Sequence, residues 1–409
     1  MQIRPVIAAL KKHRLATVLI AMEIALACAV LCNAASMIAS RMSAMHIVSG
    51  VDESSLGFIA LQGFDPKQAN DVNARVLSGL GAITGVESVH VINSVPFGMQ
   101  AGNAGITLDP DSKHFGGVVE FYVGGPGTPE ALGLKLVAGR LPATDDYQPI
   151  ANFLPADSGV LVTRTLAEHL WPGENPLGKE FWLGKKIHFR VIGVVAHFAI
   201  QQYNEEGRRG AQWTVFAPGL PGEQLAGGYL IRAKPADLDR VMTAAKAAIA
   251  KIAPDVVLDR EDSQTVTYLR AKFFQTDRAM AGLLIGVIVA LLGVTAFGIV
   301  GLASFWVAQR RKQIGIRRAL GATRTDILRY FQTENFLIVT FGVVVGVVLA
   351  IGINLALMKF FEVPRLPLWY LPVGVVALWL LGQLAVLVPA LRALQAARRR
   401  RSSGTAAAG

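Results

Sequence analysis

The sequence predicts an α-helical membrane protein with four transmembrane helices. It also predicts a large extracytoplasmic α+β domain, a split β-α-β unit with an inserted subdomain, carried on helical stalks. Three observations point there. The chain of 409 residues is 52% hydrophobic and has a positive mean hydropathy, above the usual composition of soluble domains. Four apolar runs, 15–38, 280–307, 336–358 and 368–391, reach the roughly 20 residues a helix needs to cross about 30 Å of hydrocarbon. The basic residues cluster beside these runs instead of spreading evenly.

Residues 1–14 carry Arg4, Lys11, Lys12 and Arg14 and read as a short helix at the inner membrane surface. The first run follows. At about 24 residues it exceeds the 7–15 residues typical of a signal-peptide core, which favours a retained anchor over a cleaved leader. Glu23 interrupts it about 12 Å in, at 1.5 Å per residue, and an ionisable group at that depth faces protein or water. Cys28 and Cys32, the two cysteines of the chain, lie four apart on one helix face, where they suit packing as small apolar groups.

The outer segment, 39–279, starts with an alternating strand at 56–61. Asp65-Pro66 opens a helix to about residue 80, with proline in the favoured first turn, and 86–95 alternates as a second strand. The same unit recurs late: a strand at 228–233, a helix at 235–252 and a short strand at 256–259. Two such pieces separated by a Gly- and Pro-rich insertion, 126–221, suggest one split α+β domain with an inserted subdomain. From 262 to 278 the pattern turns helical and enters the second span without a breaker, so a helical stalk is expected. In the third span Gly342 and Gly346 have the small-xxx-small spacing that permits close helix packing. A short outer loop (359–367), the fourth span and a basic tail (392–409) complete the chain.

The net charge of +11 could suggest nucleic acid, but its distribution excludes that partner. Sixteen of the 40 basic residues fall before the first span, within 310–329 or after residue 391, beside two acids, Asp326 and Glu334. The positive-inside rule then puts both termini and the 308–335 loop in the cytoplasm and residues 39–279 outside.

Catalytic and ligand motifs are thin. Gly173-Glu-Asn-Pro-Leu-Gly-Lys179 has phosphate-loop spacing, but Glu180 follows where Ser or Thr should hold magnesium, and no buried strand leads into it. With no other phosphate loop, this chain is expected to bind no ATP or magnesium itself. His188 and His197, nine apart, point to opposite faces of a regular strand, so no metal site is expected. No nucleophile–base constellation stands out, and the chain reads as a non-catalytic subunit.

The 310–334 segment is the most specific feature. It holds six arginines and a lysine between Arg310 and Arg329. Gly321 allows a turn. Thr323 and Asp326 have the spacing of a capping box, and Asp326 suits the positive end of the helix. Ile327, Leu328, Tyr330 and Phe331 form an apolar stripe beyond. Arginines next to the membrane also fit anionic lipid headgroups.

Gln313-Ile-Gly-Ile-Arg-Arg-Ala-Leu-Gly-Ala322 resembles the EIGIRRALGA signature of FtsX-like permeases, the membrane subunits of MacB- and LolCDE-type ABC transporters. Val162-Thr-Arg-Thr-Leu-Ala167, Pro172-Gly-Glu-Asn-Pro-Leu-Gly-Lys179 and Val191-Ile-Gly-Val-Val195 resemble the MacB-type periplasmic core domain, and the order of one span, outer domain and three spans is also similar. Gln313 departs from the family's Glu, His197 stands near an Asp position, and Pro389-Ala-Leu-Arg392 keeps only a fragment of the usual ending. The resemblance implies a multi-pass protein of the bacterial inner membrane whose 308–335 segment couples to a separate ATPase. Ile314, Gly315, Arg317, Arg318, Ala319, Gly321, Ala322, Asp326, Leu328 and Phe331 are the expected coupling residues. It also implies a second permease copy or paralogue, a periplasmic adaptor in MacB-like systems, and export of drugs, peptides or lipids. The alternative is an FtsX-type scaffold that relays a signal to an extracytoplasmic partner.

Overall fold

The computed structural model describes residues 14–99, 102–150, 153–185, 187–200, 211–309, 316, 323–361, 367 and 369–386. The chain divides into two compact units, Ala44–Thr276 and the combination of Met1–Ser43 with Asp277–Gly409.

The first unit contains two sheets. Strands β1 (Leu56–Gln62), β2 (Val86–Val91), β10 (Gly228–Ala233) and β11 (Val257–Asp259) form a four-stranded sheet in the order β11-β1-β10-β2, with every neighbouring pair antiparallel. Helix α2 (Ala69–Gly81) connects β1 to β2, and α5 (Leu238–Ile252) connects β10 to β11. Each crossover skips one strand, so the two β-α-β halves interlock as a split β-α-β fold. The sequence explains why both helices lie on one face. Val72, Val76 and Leu80 of α2, and Leu238, Val241, Met242, Ala245 and Ile249 of α5, recur every three or four residues and are buried. They pack on Ile59, Leu61, Tyr229 and Ile231. Asn73 is buried in that face without loss, because Tyr229 Oη donates to its Oδ1 at 2.8 Å and its own amide donates to Leu225 O at 3.0 Å.

The second sheet runs in the order β5-β8-β6-β9-β4-β3-β7. Its members are β3 (Asn103–Thr107), β4 (Phe115–Gly124), β5 (Leu136–Gly139), β6 (Ser158–Thr163), β7 (Glu180–Leu183), β8 (Ile187–Val195) and β9 (Thr214–Pro218), with short helices α3 (Thr128–Leu132) and α4 (Arg164–Leu170) in the connections. Pairing of β7 with β8 closes six of the strands into a circuit. Phe121, Phe181 and Phe189 fill its interior, their ring centroids 5.3–5.5 Å apart.

The inserted subdomain was expected to begin at 126. The sheet instead takes in β3 and β4, from Asn103 onward, because β4 pairs in parallel with β9 and antiparallel with β3. Gly125-Pro126 is the turn leaving β4, not the boundary of the subdomain.

The other unit is helical. Helix α1 runs Arg14–Met45, α7 Gln275–Gln309 and α8 Arg324–Phe361, and a shorter apolar helix, α9, spans Tyr370–Val386. Among the described residues, three stretches, Thr17–Met45, Gln275–Phe305 and Gln332–Lys359, are long and apolar enough to cross a membrane. The α9 stretch is shorter, and the expected fourth span continues outside the described residues. Helix α6 (Val266–Phe273) precedes α7 with Phe274 between them, so the expected continuous helix from 262 has one interruption.

Candidate functional site

The helical unit is held together by small residues. A Cβ on Gly346 would lie 2.5 Å from Cys28 Cβ and 2.7 Å from Ala25 O, and one on Gly342 would lie 2.9 Å from Ala21 O and Ile24 Cβ. Those distances are below van der Waals contact, so any side chain there separates α8 from α1. Gly352, by contrast, has nothing within 4 Å. On α9, Gly374 lies against Cys32 and Gly382 against Val339. Two buried amides bridge helices: Asn33 donates to Ala350 O at 3.1 Å, and Asn335 to Gly382 O at 2.9 Å. Cys28 and Cys32 are free and wholly buried.

Glu23 lies between helices. Its carboxylate rests against Gly298 of α7, where a Cβ would be 2.6 Å from Oε2. Its Oε1 is buried without a hydrogen-bond partner, as is Oγ1 of Thr295, one turn earlier on α7. Glycine at 298 leaves the room that this carboxylate occupies.

Of the expected coupling residues, Ile314, Gly315, Arg317, Arg318, Ala319, Gly321 and Ala322 lie outside the described residues. Asp326, Leu328 and Phe331 fall in the first turns of α8, which starts directly after Thr323. The helix does not pause at the expected span boundary of 336. It is continuous for 38 residues, or about 57 Å at 1.5 Å per residue. The stretch 324–335 and the third apolar span are therefore one rigid element.

In the α+β unit, Arg270 of α6 gathers the segment that follows α1. It donates to Glu53 Oε1 at 2.5 Å, to Ile47 O at 2.6 Å and to Met45 O at 2.9 Å. Its guanidinium also sits 5.1 Å from the Phe97 ring centroid and 5.9 Å from that of Phe274, within cation–π range. Thr265 caps α6 by accepting from Tyr268 N at 3.2 Å. Beside Arg270 opens a cavity of about 590 Å³ whose lining includes the ionisable residues Asp52, Glu53, Lys135, His197 and Arg232. Burial would raise the Asp52 carboxyl, but hydrogen bonds from Ser55, Ser54 and Arg232 outweigh it and hold the group below its usual range. In the helical unit, Arg41 of α1 pairs with Asp277 of α7 at 2.6 Å.

Sequence reasoning missed these two arginine contacts. Arg41 and Asp277 are 236 residues apart, and Arg270 and Glu53 are 217 apart, so neither partner carries a local signal. The GxxxxGK stretch, 173–179, leads into strand β7 rather than a helix, and Lys179 pairs with Glu174 at 2.6 Å. Its lysine is thus committed within the turn. No group of His, Cys, Asp and Glu among the described residues could hold a metal ion, and His188 pairs with Asp157 at 2.5 Å.

Comparison with known proteins completes the picture. The crystal structure of the periplasmic region of MacB from Actinobacillus actinomycetemcomitans aligns over 52% of this chain and 91% of that one, at 17% identity and a TM-score of 0.32. The macrolide export ATP-binding/permease protein MacB of Neisseria gonorrhoeae is 23% identical over 329 residues, which is 78% of this chain and 47% of that protein. The pyoverdine export ATP-binding/permease protein PvdT of Pseudomonas putida is 26% identical over 250 residues, 60% of this chain and 37% of that protein. The chain thus spans half or less of the length of the curated relatives it matches. Residues 285–397 match the FtsX-like permease C-terminal family. By that match and by these two exporter relatives, the chain is similar to FtsX/MacB-type ABC transporter permeases.

Proposed function

We propose that this chain is the permease subunit of an ABC transporter in which a separate ATPase, holding ATP and magnesium, drives movement of an extracytoplasmic domain to export drugs, peptides or lipids. In this reading residues 39–279 lie outside and both termini lie in the cytoplasm, with four spans in total. The observation that carries the proposal is the unbroken helix α8. An ATPase that grips 308–335 and changes shape moves residues 324–335, and a helix without a break passes that displacement into the membrane as a rigid body.

Two arginines suit the onward transfer. Arg41–Asp277 ties α1 to α7, so those helices shift together. Arg270 ties the chain just after α1 to the helix just before α7. A second permease copy or paralogue suits α7, which buries 11% of its most apolar stretch within the chain where α1 buries 61%. The remaining apolar face of α7 is left for lipid or another subunit.

The test is co-purification with an ABC ATPase. Leu328→Asp with Phe331→Asp abolishes binding in this reading, and unaffected binding sinks it. Stimulation of the ATPase by a transported molecule supports export. Stimulation by a protein partner alone, with no cargo moved, supports the FtsX-type signalling scaffold instead.

A further inference from the structure

Glu120 is fully buried in the wall of the strand circuit. Its Oε1 accepts a long hydrogen bond from Asn103 Nδ2, 3.4 Å, and its Oε2 has no hydrogen-bond partner. In the parallel register Glu120 stands opposite Thr214 of β9, also fully buried, whose Oγ1 likewise has no partner. Two orphaned polar atoms on adjacent strands are unusual in a well-packed sheet. Two residues further along β4 the same face is sealed: Tyr122 Oη donates to Ala199 O at 2.8 Å, and its ring stacks on Phe198 at 4.0 Å.

We propose that Glu120 is a proton-binding site of the outer domain, filled when this face is closed, and that release of its proton to water opens the wall between β4 and β9. The charge environment favours the neutral acid. Among the described residues, Asn103 on β3 and Thr214 on β9 are uncharged. Tyr122, on its own strand, is a neutral phenol whose burial and proximity to Glu120 push its ionisation well above the usual value. His197, in the covering segment, lies at the exposed mouth of the cavity. An ionised carboxylate would stand in a dry site with one weak donor, and leaving a buried charge without partners is costly. Burial raises the Glu120 carboxyl to about 7, the Asn103 donor opposing it only in part.

The sign of the pH effect follows. Between the unfolded value of 4.5 and the folded value of about 7, the closed state holds a proton that the open state lacks. Closure therefore weakens as pH rises through that interval and levels off above it.

The test is amide hydrogen exchange of the full-length protein in lipid nanodiscs between pH 5 and pH 8. After correction for intrinsic rates, opening of the β4 and β9 amides should increase by about tenfold per pH unit up to about pH 7 and then flatten, the slope of one linked proton. Glu120→Gln mimics the protonated acid and should show low-pH protection at every pH. Infrared spectroscopy of the unmodified protein adds a measurement that needs no variant: a protonated-carboxyl band that titrates away near neutrality. A flat profile in the wild type, or a Glu120→Gln protein that keeps the slope, overturns the proposal.

Discussion

Arg270 gathers three oxygens and two aromatic rings around one guanidinium. Its side chain is 23% exposed and that of Glu53 is 21% exposed, so the pair is shielded enough for the hydrogen bonds to count. Replacing it with alanine strands two backbone carbonyls and a carboxylate. Hydrogen bonds to charged groups contribute about 1.5–3 kcal/mol each, less than additively, so Arg270→Ala should lower the thermal midpoint of the full chain by several degrees. Glu53→Gln, which keeps the shape and removes the charge, should cost clearly less. At Gly346 the physics is steric. A Cβ placed 2.7 Å from the Ala25 carbonyl cannot be accommodated by a rotamer change. Gly346→Val should therefore force α8 from α1 and reduce recovery of folded protein in detergent. Gly352→Val, on open surface, is the matched control and should be tolerated. The spacing of Gly342 and Gly346 was visible in the sequence, and it permits close packing without requiring it. Arg270 was not, since an arginine in a helix has no pattern that names a partner more than 200 residues away.

Elements show a similar divide. The alternation of β1 and β2, the Asp65-Pro66 start ahead of α2 and the strand–helix–strand recurrence over 228–259 are written in the sequence, so the two halves of the β-α-β unit were readable there. Strands β3 and β4 were not. Asn103-Ala-Gly-Ile-Thr107 is short and glycine-bearing, and β4 includes Gly116, Gly117 and Glu120, residues that usually weaken a strand assignment. Their place is fixed by long-range pairing with β9, which periodicity cannot report. Glu120 was hidden for the same reason, because an acid in such a run reads as solvent-facing. The basic charge of 310–334 was legible in the sequence, yet the continuity of α8 was not, because the change from charged to apolar sequence at 336 suggests a boundary where the backbone has none. Two substitutions probe elements. Thr265→Ala removes the cap of α6 and should cost about 1 kcal/mol in chemical denaturation of the full chain. Thr333→Pro interrupts α8 at a cost of about 3 kcal/mol. It should leave ATPase capture intact while abolishing any cargo-dependent response of the ATPase, and an undiminished response would refute rigid transfer through this helix.

For the whole molecule, the distribution of thiols has a practical consequence. Both cysteines of the chain lie in α1 with no exposed surface, and the 39–279 segment has none. The native protein should therefore be silent toward membrane-impermeant maleimides, and a single engineered cysteine would report its own compartment against an empty background. Introduced at Ser54, it should react in intact cells. At Arg329 it should react only once the membrane is breached.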